Sequence, residues 1–168
     1  MRPSIANLNI YEKNNILNAN LSIQLNLESV LAEIDFNHSD TKESKNSDEY
    51  EKLRNMSSNE LTSQYDFEIK KLLNKIYLIS SEKNYDLTLT NINIPEVGNQ
   101  NIIRNTTIEF DIKNLQNENL RFYWEKELGP IIFRVNSVDN EDLYSALVEI
   151  DKKSDWFNPS FKAEENLI

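Results

Sequence analysis

The sequence of 168 residues contains no cysteine, one histidine and only two glycines. Without cysteine there is no disulfide framework, no thiolate nucleophile and no cysteine zinc site. The two glycines, Gly98 and Gly129, are too few and too widely separated for a phosphate-binding loop or a dinucleotide fingerprint. His38 lies in a polar segment, so a serine or threonine triad has no base unless that segment folds over a site. We therefore expect no catalytic residue, no metal site and no cofactor.

Positive charge and long apolar runs are also scarce. The chain has 18 basic and 28 acidic residues, a net charge of −10, which argues against phosphate-mediated binding of nucleic acid. No uninterrupted apolar stretch approaches the roughly 18 residues of a membrane span, and the first residues lack the apolar core of a secretory signal. These absences predict a cytoplasmic protein with no membrane insertion and no nucleic-acid partner.

Asparagine and isoleucine dominate what is present. The sequence has 25 Asn and 18 Ile but only 5 Ala. We interpret this bias as the mark of an A+T-rich bacterial or phage genome, so asparagine positions carry less structural meaning than usual. Hydrophobic residues still make up 39% of the chain, which is enough for a folded core.

The first part of the chain has the alternating pattern of a β-hairpin. Apolar and polar residues alternate in 6–10 and again in 19–27, with a polar turn at 12–15 between them. Residues 28–36 fit a strand and a helix equally well, whereas 37–48 contains no apolar side chain. We predict one domain composed of a hairpin region over 1–36, a flexible polar linker over 37–48 and a core over 49–168.

The rest of the chain predicts helices and strands in alternation. A capping box at Ser57 and Glu60 begins a long helix whose apolar stripe continues to Ile79 and which ends at Asn84. The predicted fold class is α+β, with a mostly antiparallel sheet and about three helices packed on it. The other predicted elements are helices over 114–128 and 139–150, and strands over 85–94 (with a bulge near Asn91), 107–112 and 131–135.

Carboxylates are the only catalytic side chains present in quantity. Glu109 and Asp111 lie two residues apart on one face of a predicted strand, where a facing acid would complete a hydrolytic pair. The alternation of an amphipathic strand with one solvent face is enough to explain both residues. A carboxylate-dependent hydrolase is therefore an alternative hypothesis, and the preferred expectation is that the protein is not an enzyme.

The sequence Arg121-Phe122-Tyr123-Trp124 places three aromatic rings and a guanidinium within one turn of the helix predicted there. Arg, Tyr and Trp dominate the hot spots of protein interfaces. Arg121, Tyr123 and Trp124 are therefore candidate interface residues. A core position for Phe122 and Trp124, with Tyr123 at the rim, explains the same pattern.

The C-terminal region combines aromatic residues with negative charge. Trp156, Phe157 and Phe161 either dock on the domain or anchor a partner. From residue 139 to 165 there are eight acidic and three basic residues, which is half of the net charge, and such a surface attracts basic partners. The sequence thus predicts a non-enzymatic module that binds a basic protein stoichiometrically, of inhibitor, immunity or secretion-chaperone type. The acidic interface candidates are Glu141, Asp142 and Glu149.

The polar row of the second strand is uncharged. Its members are Asn20, Ser22, Gln24 and Asn26, whereas exposed sheet edges are normally protected by charge. A neutral edge strand can pair with another chain. A second hypothesis is therefore a structural subunit of a larger secretion or phage-like assembly, joined through edge strands. Formation of a homo-oligomer is a further alternative.

Overall fold

The computed structural model describes residues 3–34, 46–137, 144–148 and 153–159. The strands in these ranges are β1 (Ser4–Lys13), β2 (Ile16–Leu25), β3 (Ile76–Ile79), β4 (Thr88–Asn93), β5 (Thr106–Leu115), β6 (Arg121–Trp124), β7 (Ile131–Ser137) and β8 (Tyr144–Val148). Six of them form one sheet in the order β4-β5-β2-β1-β7-β8, and β3 pairs with β6 in a second sheet. Among the strand pairs in these ranges, only β1–β7 is parallel.

The predicted hairpin is confirmed as β1 and β2. Its turn is shorter than expected and consists of Asn14 and Asn15, with φ of 54° and 64°. Asparagine tolerates this left-handed region, and two such residues in succession match the right-handed twist of the flanking strands. The predicted alternation of β2 is also confirmed, because every second side chain from Ala19 to Leu25 is at most 4% exposed.

Helices fill one end of the fold. In the described ranges they are α1 (Leu27–Leu31), α2 (Ser47–Arg54), α3 (Ser58–Gln64) and α4 (Asp66–Leu73), with a 3₁₀ turn at Lys126–Leu128. Leu53, Leu61 and Ile69 from three of these helices share one buried cluster. The main sheet buries its inner face against the small sheet, where the rings of Phe122 and Phe133 stack at 4.4 Å. This arrangement confirms the predicted α+β class with a mostly antiparallel sheet.

The long helix predicted from Ser57 is correct only at its beginning. Ser57 and Glu60 form the predicted capping box, but the helix is interrupted at Tyr65 and ends with α4. Ile76–Ile79 is the strand β3, so the expectation of a helix to Asn84 is wrong. The reason is that this segment pairs with β6 and buries its alternate side chains, Ile76 and Leu78, in the core, which a helix cannot do.

Two further helix predictions are wrong. Residues 114–128 hold the end of β5, the strand β6 and the 3₁₀ turn. Residues 144–148, predicted as part of the last helix, form β8 on the edge of the main sheet, and the remainder of that helix lies outside the described residues. β6 pairs with the distant strand β3, and β8 pairs with the preceding strand β7, and such pairing overrides a local helical pattern.

Other boundaries agree with the sequence or extend it. The strand predicted at 131–135 is β7, that at 107–112 is β5, and a register shift between Leu89 and Asn91 confirms the predicted bulge. The ambiguous segment forms α1 at its start. His38 and residues 37–45 of the predicted linker lie outside the described ranges, while Ser47 and Asp48 form the first turn of α2.

None of the helices in the described ranges has the length and apolar composition needed to cross a membrane.

Candidate functional site

The small sheet presents one side to the core and the other to the surface. Tyr77 lies opposite Tyr123, and Ile79 lies opposite Arg121, in the antiparallel register of β3 and β6. These four side chains are half-buried on the outer side. The alternating residues Ile76, Leu78, Phe122 and Trp124 are at most 7% exposed and fill the core.

The segment after β8 lies alongside β6 and extends this surface. Phe157 and Leu120 exchange two backbone hydrogen bonds, with N–O distances of 2.7 and 2.9 Å. The Ser154 backbone N–H donates to the Phe122 carbonyl at 2.9 Å, and the Ser154 hydroxyl accepts from the Phe122 N–H at 2.8 Å. These bonds hold residues 154–157 beside β6, which brings Lys153 and Trp156 next to its outward side chains.

Aromatic and cationic side chains stack on this surface. The rings of Tyr77 and Tyr123 are 5.6 Å apart with an angle of 18° between their planes. The Arg121 guanidinium lies 4.4 Å from the centre of the Trp156 ring, and the Lys153 ammonium lies 5.6 Å from that of Tyr123. Both distances are within the range of cation–π attraction. We call this surface the aromatic face; it consists of Tyr77, Ile79, Arg121, Tyr123, Lys153 and Trp156.

The electrostatics of the aromatic face hold its rings in place. The Tyr77 hydroxyl donates to a carboxylate oxygen of Glu125 at 3.1 Å, and burial together with this carboxylate raises the pKa of Tyr77. Among the described residues Arg121 Nε has no hydrogen-bond partner although it is buried, and the Trp156 ring lies 4.4 Å from this guanidinium. Trp156 itself remains 43% exposed. The face is therefore ordered by its own contacts yet still open to solvent.

Three of the predicted interface residues meet on this face and two do not. Arg121 and Tyr123 are brought together there with Trp156, which is more than thirty positions away in sequence. Trp124 is 3% exposed and its indole N–H donates to the Gly129 carbonyl at 2.8 Å. Phe157 is 6% exposed and packs on Phe133. Of the two interpretations of Trp124 and Phe157, the structure therefore supports the core position and not the binding surface, because both side chains complete the core.

The acidic interface candidates cannot be placed in the structure. Glu141, Asp142 and Glu149, together with the aromatic candidate Phe161, lie outside the described residues. Their involvement in binding stays a prediction from the sequence.

The expectation that β2 is an exposed edge is wrong. β2 pairs with β1 on one side and β5 on the other, so its backbone groups are used within the sheet. Asn20, Ser22 and Gln24 lie instead on the outer face of the main sheet. The Asn26 side chain caps α1, accepting from the Ser29 N–H at 3.2 Å.

The carboxylates Glu109 and Asp111 lie on the same outer face of the sheet. Their neighbours across β2 are Ser22 and Asn20, and their neighbours across β4 are Asn91 and Thr88. None of these neighbours supplies the facing acid that a hydrolytic pair requires. Within the described ranges no group of three or more His, Cys, Asp or Glu side chains could hold a metal ion.

Tyr77, Ile79 and Lys153 are the members of the aromatic face that the sequence did not indicate. Tyr77 and Ile79 were assigned to a helix, so their pairing with β6 was not expected. Three of the four residues in the run Ile76-Tyr77-Leu78-Ile79 are strongly β-forming types, and the run has no charged interruption, so this signal favours a strand.

Comparison with known proteins adds no further assignment. No protein-family model matches the chain, and no curated protein is significantly similar to it in sequence. The aromatic face and the charge of the chain are therefore the observations on which a function is proposed.

Proposed function

We propose that the protein is a non-enzymatic binding module that associates stoichiometrically with another protein through the aromatic face. The observation that carries this proposal is the stacking of Arg121 on Trp156 beside the Tyr77–Tyr123 pair. Arg, Tyr and Trp are the residue types most enriched among interface hot spots. A surface that collects all three in one place, still partly exposed, favours association with a protein.

Rigidity adds to this support. Tyr77 and Tyr123 project from paired strands, and Trp156 is held by the backbone bonds on either side of it. Side chains that are already ordered lose little entropy when a partner covers them. Aromatic residues have few rotatable bonds and large contact areas, so this advantage is greatest for them.

The charge of the chain supports a basic partner. The net charge is −10, and half of it falls between residues 139 and 165, which flank the segment that carries Trp156. Acidic surfaces raise the rate of encounter with basic proteins. An inhibitor, an immunity protein or a secretion chaperone would use both features, with charge guiding the approach and the aromatic face holding the complex.

The first experiment is affinity capture with the full chain from its native cells, followed by measurement of stoichiometry with the purified partner. Capture with wild type is compared with Trp156→Ala and with Tyr11→Ala, which removes an exposed aromatic ring from β1 outside the aromatic face. We expect a one-to-one complex that is lost with Trp156→Ala and kept with Tyr11→Ala. Equal capture by all three proteins would refute the role of this face.

A second candidate function, the assembly subunit, is supported by the edge strand β4. This strand lies at one end of the main sheet, and Thr88–Asn93 contains no charged residue. Its Leu89 is 43% exposed, and neutral edges are prone to pair with another strand. Leu89→Lys should then abolish self-association or recruitment measured by analytical ultracentrifugation, while Tyr11→Lys on β1 should not. A chain that is monomeric with or without the lysine excludes self-assembly through β4.

The carboxylate-dependent hydrolase remains the third hypothesis. It requires Glu109 and Asp111 to act on a substrate on the outer face of the sheet. If hydrolysis of any substrate is found, the double substitution to alanine should abolish it, and retained activity would eliminate the hypothesis.

A further inference from the structure

The buried apolar side chains of the described residues form two separate clusters. The larger cluster lies between the main sheet and the small sheet and includes Ile23 and Phe122; we call it the sheet core. The smaller cluster, which we call the helical core, is built mainly from the four helices, and its members include Leu27, Leu53, Leu61, Ile69 and Ile94. Of the described side chains, only the partly buried Leu72 and Ile92 pack against both cores.

The boundary between the two cores is incompletely packed. A cavity of about 10 Å³ lies there, lined from one side by Leu25, Ile108 and Trp124 of the sheet core and from the other by Leu27 and Ile69 of the helical core. Side chains that line a cavity lose the dispersion contacts that close packing provides. The two cores are therefore held to each other less strongly than each is held together within itself.

Polar atoms near this boundary lack partners. Glu28 Oε2, Ser29 Oγ and Thr106 Oγ1 are buried and have no hydrogen-bond partner among the described residues. Glu28 and Ser29 belong to α1, and Thr106 begins β5 opposite Leu25, the last residue of β2. A buried polar group without a partner costs free energy, and water removes this cost when the region opens. The polar groups thus favour opening at the same place where the apolar packing is incomplete.

Hydrogen bonds within the helical end run in both directions between α2 and the loop before β5. Arg54 on α2 donates from Nη2 to the carbonyls of Asn99 and Ile102 at 2.9 and 3.0 Å. Arg104, at the far end of that loop, donates to the Met56 carbonyl after α2 at 2.8 Å. Both arginines are 3% exposed. Separation of α2 from the loop would break the bonds of two buried guanidinium groups, so these elements are expected to move together.

From these observations we infer that α1–α4 and the loop before β5 open away from the two sheets as one cooperative unit, at a lower free energy than global unfolding. We call this part the helical unit. Proteins open in contiguous units whose free energies follow the strength of their packing against the remainder. Opening exposes the helical core while the sheet core stays formed. The inference does not rest on the proposed function, because no residue of the aromatic face belongs to the helical unit.

The test is amide hydrogen exchange of the full chain, followed by NMR under conditions where exchange reports the opening equilibrium. Wild type is compared with Ile69→Val in the helical core and Ile23→Val in the sheet core. The two substitutions are chemically identical, and the two side chains are 5% and 0% exposed. The amides of Leu53 and Leu61 report on the helical unit, and the amide of Leu8 in β1 reports on the sheets.

In wild type, Leu53 and Leu61 should have equal protection factors that are lower than that of Leu8. Ile23→Val should accelerate exchange at Leu8 by about twofold to tenfold and leave Leu53 and Leu61 unchanged, because the sheet core persists in the open state. Ile69→Val should accelerate all three amides by one common factor, because its contacts are lost in both openings.

Two results would overturn the inference. Acceleration of all three amides by Ile23→Val would show that the helices and the sheets unfold only together. Unequal protection of Leu53 and Leu61 in wild type would show that the helices open independently of each other.

Discussion

Arg104 and Glu28 form an ion pair inside the protein, with 2.6 Å between Nε and Oε1 and side chains that are 1% and 0% exposed. The same guanidinium donates to the carbonyls of Leu53 and Met56, which end α2 and precede α3. One side chain therefore connects α1, the α2–α3 junction and the loop before β5. This connection fixes the helical end of the fold against the central strands.

Breaking this pair should be costly. Glu28→Ala leaves the Arg104 charge buried without its counterion, and such changes destabilise proteins by about 3–5 kcal/mol. Lys70→Ala is the matched control, because its pair with Asp66 is largely exposed and is worth less than about 1 kcal/mol. Urea unfolding monitored by circular dichroism measures both. Similar losses from the two substitutions would show that the buried pair has no special role.

Because the side chains of β6 alternate between the core and the outer side, alanine substitutions at neighbouring residues should differ in their effect on stability. Phe122 is fully buried against Phe133, and Phe122→Ala should cost about 3–5 kcal/mol. Tyr123 is half-buried on the outer side, where it stacks on Tyr77, so Tyr123→Ala should cost less than Phe122→Ala, about 1–2 kcal/mol. The free energies of unfolding check this directly. A larger loss from Tyr123→Ala than from Phe122→Ala would contradict the strand assignment.

Three tyrosines should lose their hydroxyl protons at a higher pH than an ordinary tyrosine does. Burial raises the pKa of Tyr65, Tyr77 and Tyr85 above the ordinary value of 10.0, and hydrogen bonds to Glu49, Glu125 and Glu118 raise it further. Because the folded-state pKa is the higher one, the stabilisation from the neutral hydroxyls is complete below pH 10.0 and is lost as the pH rises through the raised values. Ultraviolet titration of tyrosinate should show a late phase that becomes smaller in Tyr77→Phe. Titration of every tyrosine at its ordinary pKa would disprove this.

Salt should change the association rate constant of the partner more than its dissociation rate constant. If the acidic residues guide a basic protein, the association rate constant falls steeply with ionic strength, and the dissociation rate constant changes little. Charge reversal at Glu141, Asp142 and Glu149 should slow association in the same way. Stopped-flow kinetics at low and high salt measure both constants. Association that ignores salt and charge reversal would rule out a basic partner.

The sequence predicts secondary structure correctly where the local pattern is compatible with only one type of element. Ten-residue strands such as β2 repeat their alternation often enough to exclude a helix, and a capping box such as that of Ser57 and Glu60 marks a helix start by its own hydrogen bonds. Short apolar segments, in contrast, are compatible with both a helix and a strand. Ile76 and Ile79 are three residues apart, which suits a helix face, and only pairing with β6 makes them a strand.

The candidate site could be predicted in part for the same reason. Residue type alone indicated Arg121, Tyr123 and Trp156, because these types are typical of interfaces. Whether each ring faces solvent depends on the alternation of β6 and on the hydrogen bonds of the segment beside it, so the sequence alone does not decide between a core and a surface position for Trp124 and Phe157. Predicting Tyr77 as part of the site depends on knowing that β3 pairs with β6, whose residues are about 46 positions apart.

The most direct test of the central claim is the dissociation constant of the purified partner for wild type, Trp156→Ala and Tyr11→Ala, measured by isothermal titration calorimetry. Trp156→Ala removes the ring that holds Arg121, and we predict affinity weaker by about tenfold or more, as for an interface hot spot. Tyr11→Ala should bind as wild type does. If Trp156→Ala binds with unchanged affinity, the aromatic face is not where the partner is held.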